Sequence, residues 1–223
     1  MLNYNFSEAL KINHTVDQLI SQIHHDQGLE FDVDQVLAYY SKGFFLLSNQ
    51  PQSPEQMYWC GKRVHTLLPL DDRFHCPKSL RRFLNQGRFQ FTINQAFVEV
   101  VQGCASHPNS WISDDLQSLY FRLYRSGVAY SFESWLGDDL AGGILGIVIG
   151  GVFIGESMFY RSSNGSKVAL VQLVKHLQSS GFLLFNVKFD SAHLLRFGTY
   201  QISESLYQKQ LEIAIHKKIV CCY

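Results

Sequence analysis

The sequence predicts an α+β fold, and three observations carry that expectation. Three β-type stretches run in series, 128–135, 140–149 and 152–159, parted only by the turn signals Gly137-Asp138-Asp139 and Gly150-Gly151. An amphipathic helical stretch, 166–179, ends at Gly181. A strand over 182–189 and a last helix over 203–216 complete a meander-then-helix order, with no internal repeat.

The upstream elements are shorter. Val16, Leu19, Ile20 and Ile23 keep helical spacing up to His24-His25, and Asp32 caps a helix over 33–41 that Gly43 ends. Residues 49–55, with both prolines of this region, predict a loop before a strand at 57–60. A strand is expected over 64–68, and Pro77 leads into a helix over 79–86. A strand over 89–92 follows, and Asn94 is expected to cap a helix over 95–103. Ser113-Asp114-Asp115 opens a helix to Arg125, closed by Gly127.

Composition narrows the function classes. With 46% hydrophobic and 17% charged residues, the chain of 223 has the make-up of a globule with a well-filled core. Nineteen basic side chains balance nineteen acidic ones, so a polyanion would have to meet a local patch rather than a bulk field. The five cysteines are Cys60, Cys76, Cys104, Cys221 and Cys222; they are odd in number and lack a C-x-x-C pair, so neither a zinc site nor a disulfide scaffold is expected. No stretch has signal-peptide or membrane-span character, which predicts a cytosolic protein without a membrane partner. A monomer is expected because no apolar face lacks an explanation.

One residue stands out. Glu156 interrupts the run 147–159, which is otherwise apolar, glycine or small, at the end of a strand and just before a helix start. A carboxylate there is costly unless it has a partner or a task. Arg161, Lys167 or a backbone amide would serve as a structural partner; the alternative is a site.

Five blocks fall in order: Ser110-Trp111-Ile112, Ala141-Gly142-Gly143-Ile144-Leu145-Gly146, Gly155-Glu156-Ser157-Met158-Phe159, Ser166-Lys167-x-Ala169-Leu170 and His193-Leu194-x-x-Phe197-Gly198. This succession resembles the leucyl/phenylalanyl-tRNA–protein transferases over roughly residues 35–207. The resemblance implies a small N-terminal α+β domain, 1–63, and an acetyltransferase-like (GNAT-type) mixed-sheet domain, 64–223. It implies transfer of Leu, Phe or Met from aminoacyl-tRNA to the N-terminal amine of proteins beginning with Arg or Lys, marking them for degradation, with no cofactor beyond the tRNA and no metal.

Carried over, Trp111 stacks on the terminal adenosine. Ile144, Phe153, Met158, Leu173, Leu177 and Phe185 form the apolar pocket for the amino-acid side chain, where a flexible thioether suits both branched and aromatic guests. Glu156 is a polar anchor near the ester or a counter-charge for the incoming amine. Lys78, Arg81, Arg82 and Arg88, around one short helix, are either a solvated face or a phosphate track for the tRNA.

The chain departs from that family in places. The family carries Asp-x-Gln on the strand before the His-Leu block, and this chain has Asn186-Val187-Lys188. Asn186 cannot act as a base. Lys188 can donate to an oxyanion when charged, or act as a base if desolvation lowers its pKa. The family's Phe-Pro-Trp is Phe45-Leu46-Leu47 here, and its Trp-Trp-Ser-Pro is Tyr58-Trp59-Cys60-Gly61. Two other classes stay open: a binding homologue of charged tRNA or protein N-termini without chemistry, and an acyl-CoA N-acyltransferase, for which the loop Arg161, Asn164, Ser166 is degenerate.

Overall fold

Helix α1 (Val33–Tyr40) starts where the Asp32 carboxylate accepts a hydrogen bond from the Asp34 amide at 3.2 Å, and it gives way to Gly43 at φ +84°. This is seen in a computed structural model that describes residues 32–48, 57–107, 110–219 and 221. The helix expected near Val16–Ile23, the loop at 49–55 and Cys222 lie outside the described residues. Strands β1 (Phe45–Ser48) and β2 (Met57–Cys60) pair antiparallel as a separate two-stranded sheet, with Phe45 opposite Cys60. The sequence does not announce β1, because all four of its residues are buried and no polar-apolar alternation marks it.

The larger sheet has seven strands: β3 (Val64–Leu67), β4 (Phe89–Ile93), β5 (Ala129–Leu136), β6 (Asp139–Ile149), β7 (Val152–Tyr160), β8 (Leu184–Asn186) and β9 (Tyr200–Ser203). Their order is β4-β5-β6-β7-β8-β3-β9, and β7–β8 is the parallel pair. The β5–β6–β7 meander matches the expected series, and Gly137 (φ +59°) and Gly150 (φ +55°) make the turns. The helices are α2 (Lys78–Leu84), α3 (Phe97–Ala105), α4 (Asp114–Arg125), α5 (Gly165–Ser179), α6 (Ala192–Leu195) and α7 (Glu204–Ile215). Together these make the mixed α+β architecture that the sequence predicts.

Two apolar clusters flank the large sheet. One joins α1, β1, α3, α4 and α7; the other joins α2 and α5 to the opposite side chains of β5–β8. Phe153 shows the packing at the centre: fully buried, it meets Phe132 and Phe185 edge-on at 5.5 and 4.9 Å. Such aromatic pairs each add about 0.5–1.5 kcal/mol beyond burial. Gly146 is required beneath this ring, since a Cβ there would lie 2.1 Å from Phe153 Cζ.

Two local expectations change. Asn94 does not cap a helix: it sits at φ +59°, its Oδ1 accepts from the Ser131 amide at 2.8 Å, and α3 begins later, after Ala96. Asparagine tolerates the left-handed region, and its short side chain bonds the neighbouring backbone there. The strand expected over 182–189 is only Leu184–Asn186, because Lys188 turns the chain into the left-handed region at φ +59°.

Candidate active site

The site grows out of an irregularity in β7. Gly146 pairs with Gly155 and Leu145 with Ser157, so Glu156 has no partner on β6 and forms a β-bulge. The bulge flips the strand's alternation. Phe153 and Met158 are five residues apart, yet both pack against the α5-side cluster, which a regular strand forbids.

Strand β8 follows β7 for only three pairs, Val152–Leu184, Phe153–Phe185 and Ile154–Asn186. Beyond them the two strands part. The gap is a cavity of about 410 Å³, lined from β7 by Gly155, Glu156, Ser157 and Met158 and from the β8 side by Phe185, Val187, Lys188 and Phe189. Trp111, Ile144, Leu170 and Leu194 add apolar wall, while Ser110, His107, Ser191 and His193 add polar rim. This volume and mixture suit a small ligand with one apolar end.

The polar end is a buried ion pair. Lys188 Nζ lies 2.7 Å from Glu156 Oε2, and each residue is 2% exposed. Tyr120 donates to the same oxygen at 2.6 Å, and Tyr40 donates to Oε1 at 3.2 Å. Burial and the Glu156 carboxylate hold both phenols well above the ordinary tyrosine range, so they serve as neutral donors. The Lys188 ammonium also faces the rings of Trp111 at 5.2 Å and Phe45 at 5.3 Å. Three donors and two ring faces offset the desolvation that an unpaired charge would suffer. Glu156 is thus held by Lys188, rather than by Arg161, Lys167 or a backbone amide.

The left-handed turn that shortens β8 is what swings Lys188 inward. Asn186 Oδ1 accepts from the Lys188 amide at 2.8 Å, and Lys62 donates to the Lys188 carbonyl. The other side of Asn186 is committed as well: its Nδ2 donates to Tyr207 Oη at 2.9 Å and lies 3.5 Å from His65 Nδ1. Asn186 therefore stands behind the cavity, holding the turn, and is absent from its wall.

The other sequence-derived residues divide clearly. Trp111, Ile144, Met158 and Phe185 come together in the cavity wall, whereas Phe153, Leu173 and Leu177 are core residues that do not line it. Ser48 Oγ donates to the Trp111 carbonyl and accepts from the Ser113 amide at 3.1 Å, which ties the Trp111 loop to β1. The Trp111 Nε1 is buried without a partner among the described residues. Lys78, Arg81, Arg82 and Arg88 are all exposed and none reaches the cavity.

Tyr40, Tyr120, Cys104, His107 and Phe189 have no distinguishing sequence signal; the two tyrosines lie on helix faces that simply read as core. His193 lines the rim, and burial together with Lys167 and Arg196 lowers its pKa, favouring neutral imidazole. Burial pushes the Cys104 thiol up to about 12, which removes it as a thiolate nucleophile. Among the described residues, no three His, Cys, Asp or Glu side chains gather to hold a metal, and no helix is long and apolar enough to cross a membrane.

Against known proteins, residues 67–212 match the family described as leucyl/phenylalanyl-tRNA protein transferase. The chain belongs to that family. A leucyl/phenylalanyl-tRNA–protein transferase from Nostoc punctiforme is 48% identical over 189 residues, covering 85% of this chain and 97% of the relative. One from Thermosynechococcus vestitus is 53% identical over 178 residues, covering 80% and 89%. One from Chlorobium limicola is 38% identical over 192 residues, covering 84% and 97%. In this member of the transferase family, the β7–β8 cavity and its ion pair lie inside the matched region.

Proposed function

We propose that the chain transfers Leu, Phe or Met from aminoacyl-tRNA to the N-terminal amine of proteins beginning with Arg or Lys, tagging them for degradation. The observation that carries this reading is the β7–β8 cavity, apolar along Ile144, Met158, Leu170 and Phe185 and closed at one end by the Glu156–Lys188 pair. The sheet, with one parallel pair that parts to open a pocket, fits an acetyltransferase-like domain over residues 64–223, with 1–63 as the smaller unit. The enzyme works in the cytosol as a monomer.

An aminoacyl ester is already activated. The amine attacks the ester carbonyl, a C–N bond forms, the C–O bond to the ribose breaks, and the amine's proton ends on the departing ribose oxygen. The protein must orient the two groups and stabilise the oxyanion. Lys188 is the cation in the cavity wall for that oxyanion, and Trp111 is the aromatic face for the terminal adenosine. Glu156 is spent on Lys188, Tyr40 and Tyr120, so its role is to hold the ammonium in place. The exposed Lys78, Arg81, Arg82 and Arg88 meet tRNA phosphates farther out.

The test is incubation with radiolabelled Leu-tRNA or Phe-tRNA and peptides starting with Arg or Lys. Labelled peptide is expected; no label with any donor would refute transfer. One observation favours a second reading. Asn186 stands where the family has a carboxylate, and both ends of its amide are occupied. Donor binding without product over long incubation would make the chain a binding homologue.

A further inference from the structure

A second, larger cavity of about 950 Å³ adjoins the first, and His107, Met158 and His193 line both. Its wall carries Arg161 and Lys167 and, among the described residues, no aspartate or glutamate. Tyr160, 69% exposed, offers an open ring on the same wall. Among the described residues neither cation is tied up in an ion pair: Arg161 lies over the Phe159 ring at 5.8 Å, and Lys167 makes a 3.4 Å contact to Asn164 Oδ1. Cations beside an exposed aromatic ring make the pattern that binds single-stranded nucleic acid, with phosphate on the charges and a base on the ring.

We infer that this chamber holds the single-stranded 3′ end of the donor tRNA, Arg161 and Lys167 taking the phosphodiesters next to the terminal adenosine and Tyr160 taking a base. The inference rests on the function proposed above. Charge decides between the two substrates. An acceptor with an N-terminal Arg or Lys brings up to two positive charges, which a chamber holding only cations repels; the donor brings negative ones. The acceptor therefore enters from elsewhere. The diphosphate of an acyl-CoA has the same anionic chemistry, so the experiment separates the two sources.

The experiment compares two donors on wild type, Arg161→Gln/Lys167→Gln and Tyr160→Ala: Phe-tRNA, and 3′-O-phenylalanyl-adenosine, which has no phosphate. For Phe-tRNA, the double variant is expected to raise KM by about 10-fold or more at low salt and to flatten the log–log salt slope by about 1.4, at roughly 0.7 per neutralised single-strand phosphate. Tyr160→Ala is expected to raise that KM by about 5-fold or more, through lost stacking. With the phosphate-free donor, all three proteins are expected to agree within about twofold. Equal losses on both donors, or none on Phe-tRNA, would overturn the assignment while leaving transfer itself intact. Wild type inactive with both donors would overturn the function and this inference together. Coenzyme A should inhibit no more than an equal concentration of inorganic pyrophosphate; stronger inhibition would reassign the chamber to a CoA-like ligand.

Discussion

Replacing Lys188 by Met tests whether the floor of the cavity is a charge pair that holds the fold. The substitution keeps most of the aliphatic stem and removes the ammonium, leaving the Glu156 side chain, 0% exposed, with only two phenol donors. At 2.7 Å and an effective dielectric of about 20, the gross attraction lost is about 6 kcal/mol. Stranding one partner of a buried pair typically costs about 3–5 kcal/mol. For a chain of this length that lowers the melting midpoint by about 6–20 °C. Glu156→Gln/Lys188→Met, which leaves no charge behind, should recover more than half of the loss. The assay is urea unfolding followed by circular dichroism, run as a double-mutant cycle. A single variant within about 1 kcal/mol of wild type, or strictly additive effects, would refute a desolvated pair.

Glu133 on β5 gives a pH test away from the cavity. Burial pushes its carboxyl from 4.5 up to about 7, against the hydroxyls of Ser131 and Thr92 that favour its charged form. Folding then binds a proton that the unfolded chain has released, so stability is full below the unfolded value and falls by about 3 kcal/mol as pH rises to about 7. Glu133→Gln should flatten the curve between about pH 4.5 and about pH 8; an unchanged slope would assign it to other groups. Tyr120→Phe removes the 2.6 Å bond to Glu156 and should cost about 1.5–3 kcal/mol. Tyr40→Phe, whose bond to Glu156 is 3.2 Å, should cost less, and the reverse ranking in urea unfolding would count against these geometries. Met158→Ala enlarges the β7–β8 cavity and, on the proposed function, should lower kcat/KM for Leu-tRNA about 10-fold more than for Phe-tRNA; an unchanged ratio would remove Met158 from the proposed pocket.

Local signals served wherever one residue type decided the geometry. Ser113 accepts from the Leu116 amide and starts α4 where the sequence places it, and Gly137 and Gly150 turn the hairpins. No local signal marks β1, whose burial is imposed by its surroundings rather than by its pattern. The strand expected over 182–189 runs past the end of β8, because nothing in Val187-Lys188-Phe189 announces a lysine at positive φ. For the site, a carboxylate inside an apolar strand was enough to single out Glu156. Its partner is not legible: Lys188 lies 32 positions away, in the turn after β8, and the nearer cations Arg161 and Lys167 face the neighbouring chamber instead. Half-sites can be read from spacing, whereas the pairing of two half-sites depends on where strands part company.

The Glu156–Lys188 pair also sets an order on synthesis. A growing chain releases β7, with its carboxylate, well before Lys188 emerges, and domains fold as their segments become available. Until that lysine clears the ribosome, tucking β7 under α1 and α4 would strand a bare negative charge, so the strand is better left wet. The parallel partner β8 and the lysine two residues beyond it arrive together. The step that joins β7 to β3 through β8 is therefore also the one that allows the centre of the sheet to dry, which makes the cavity a late product of translation.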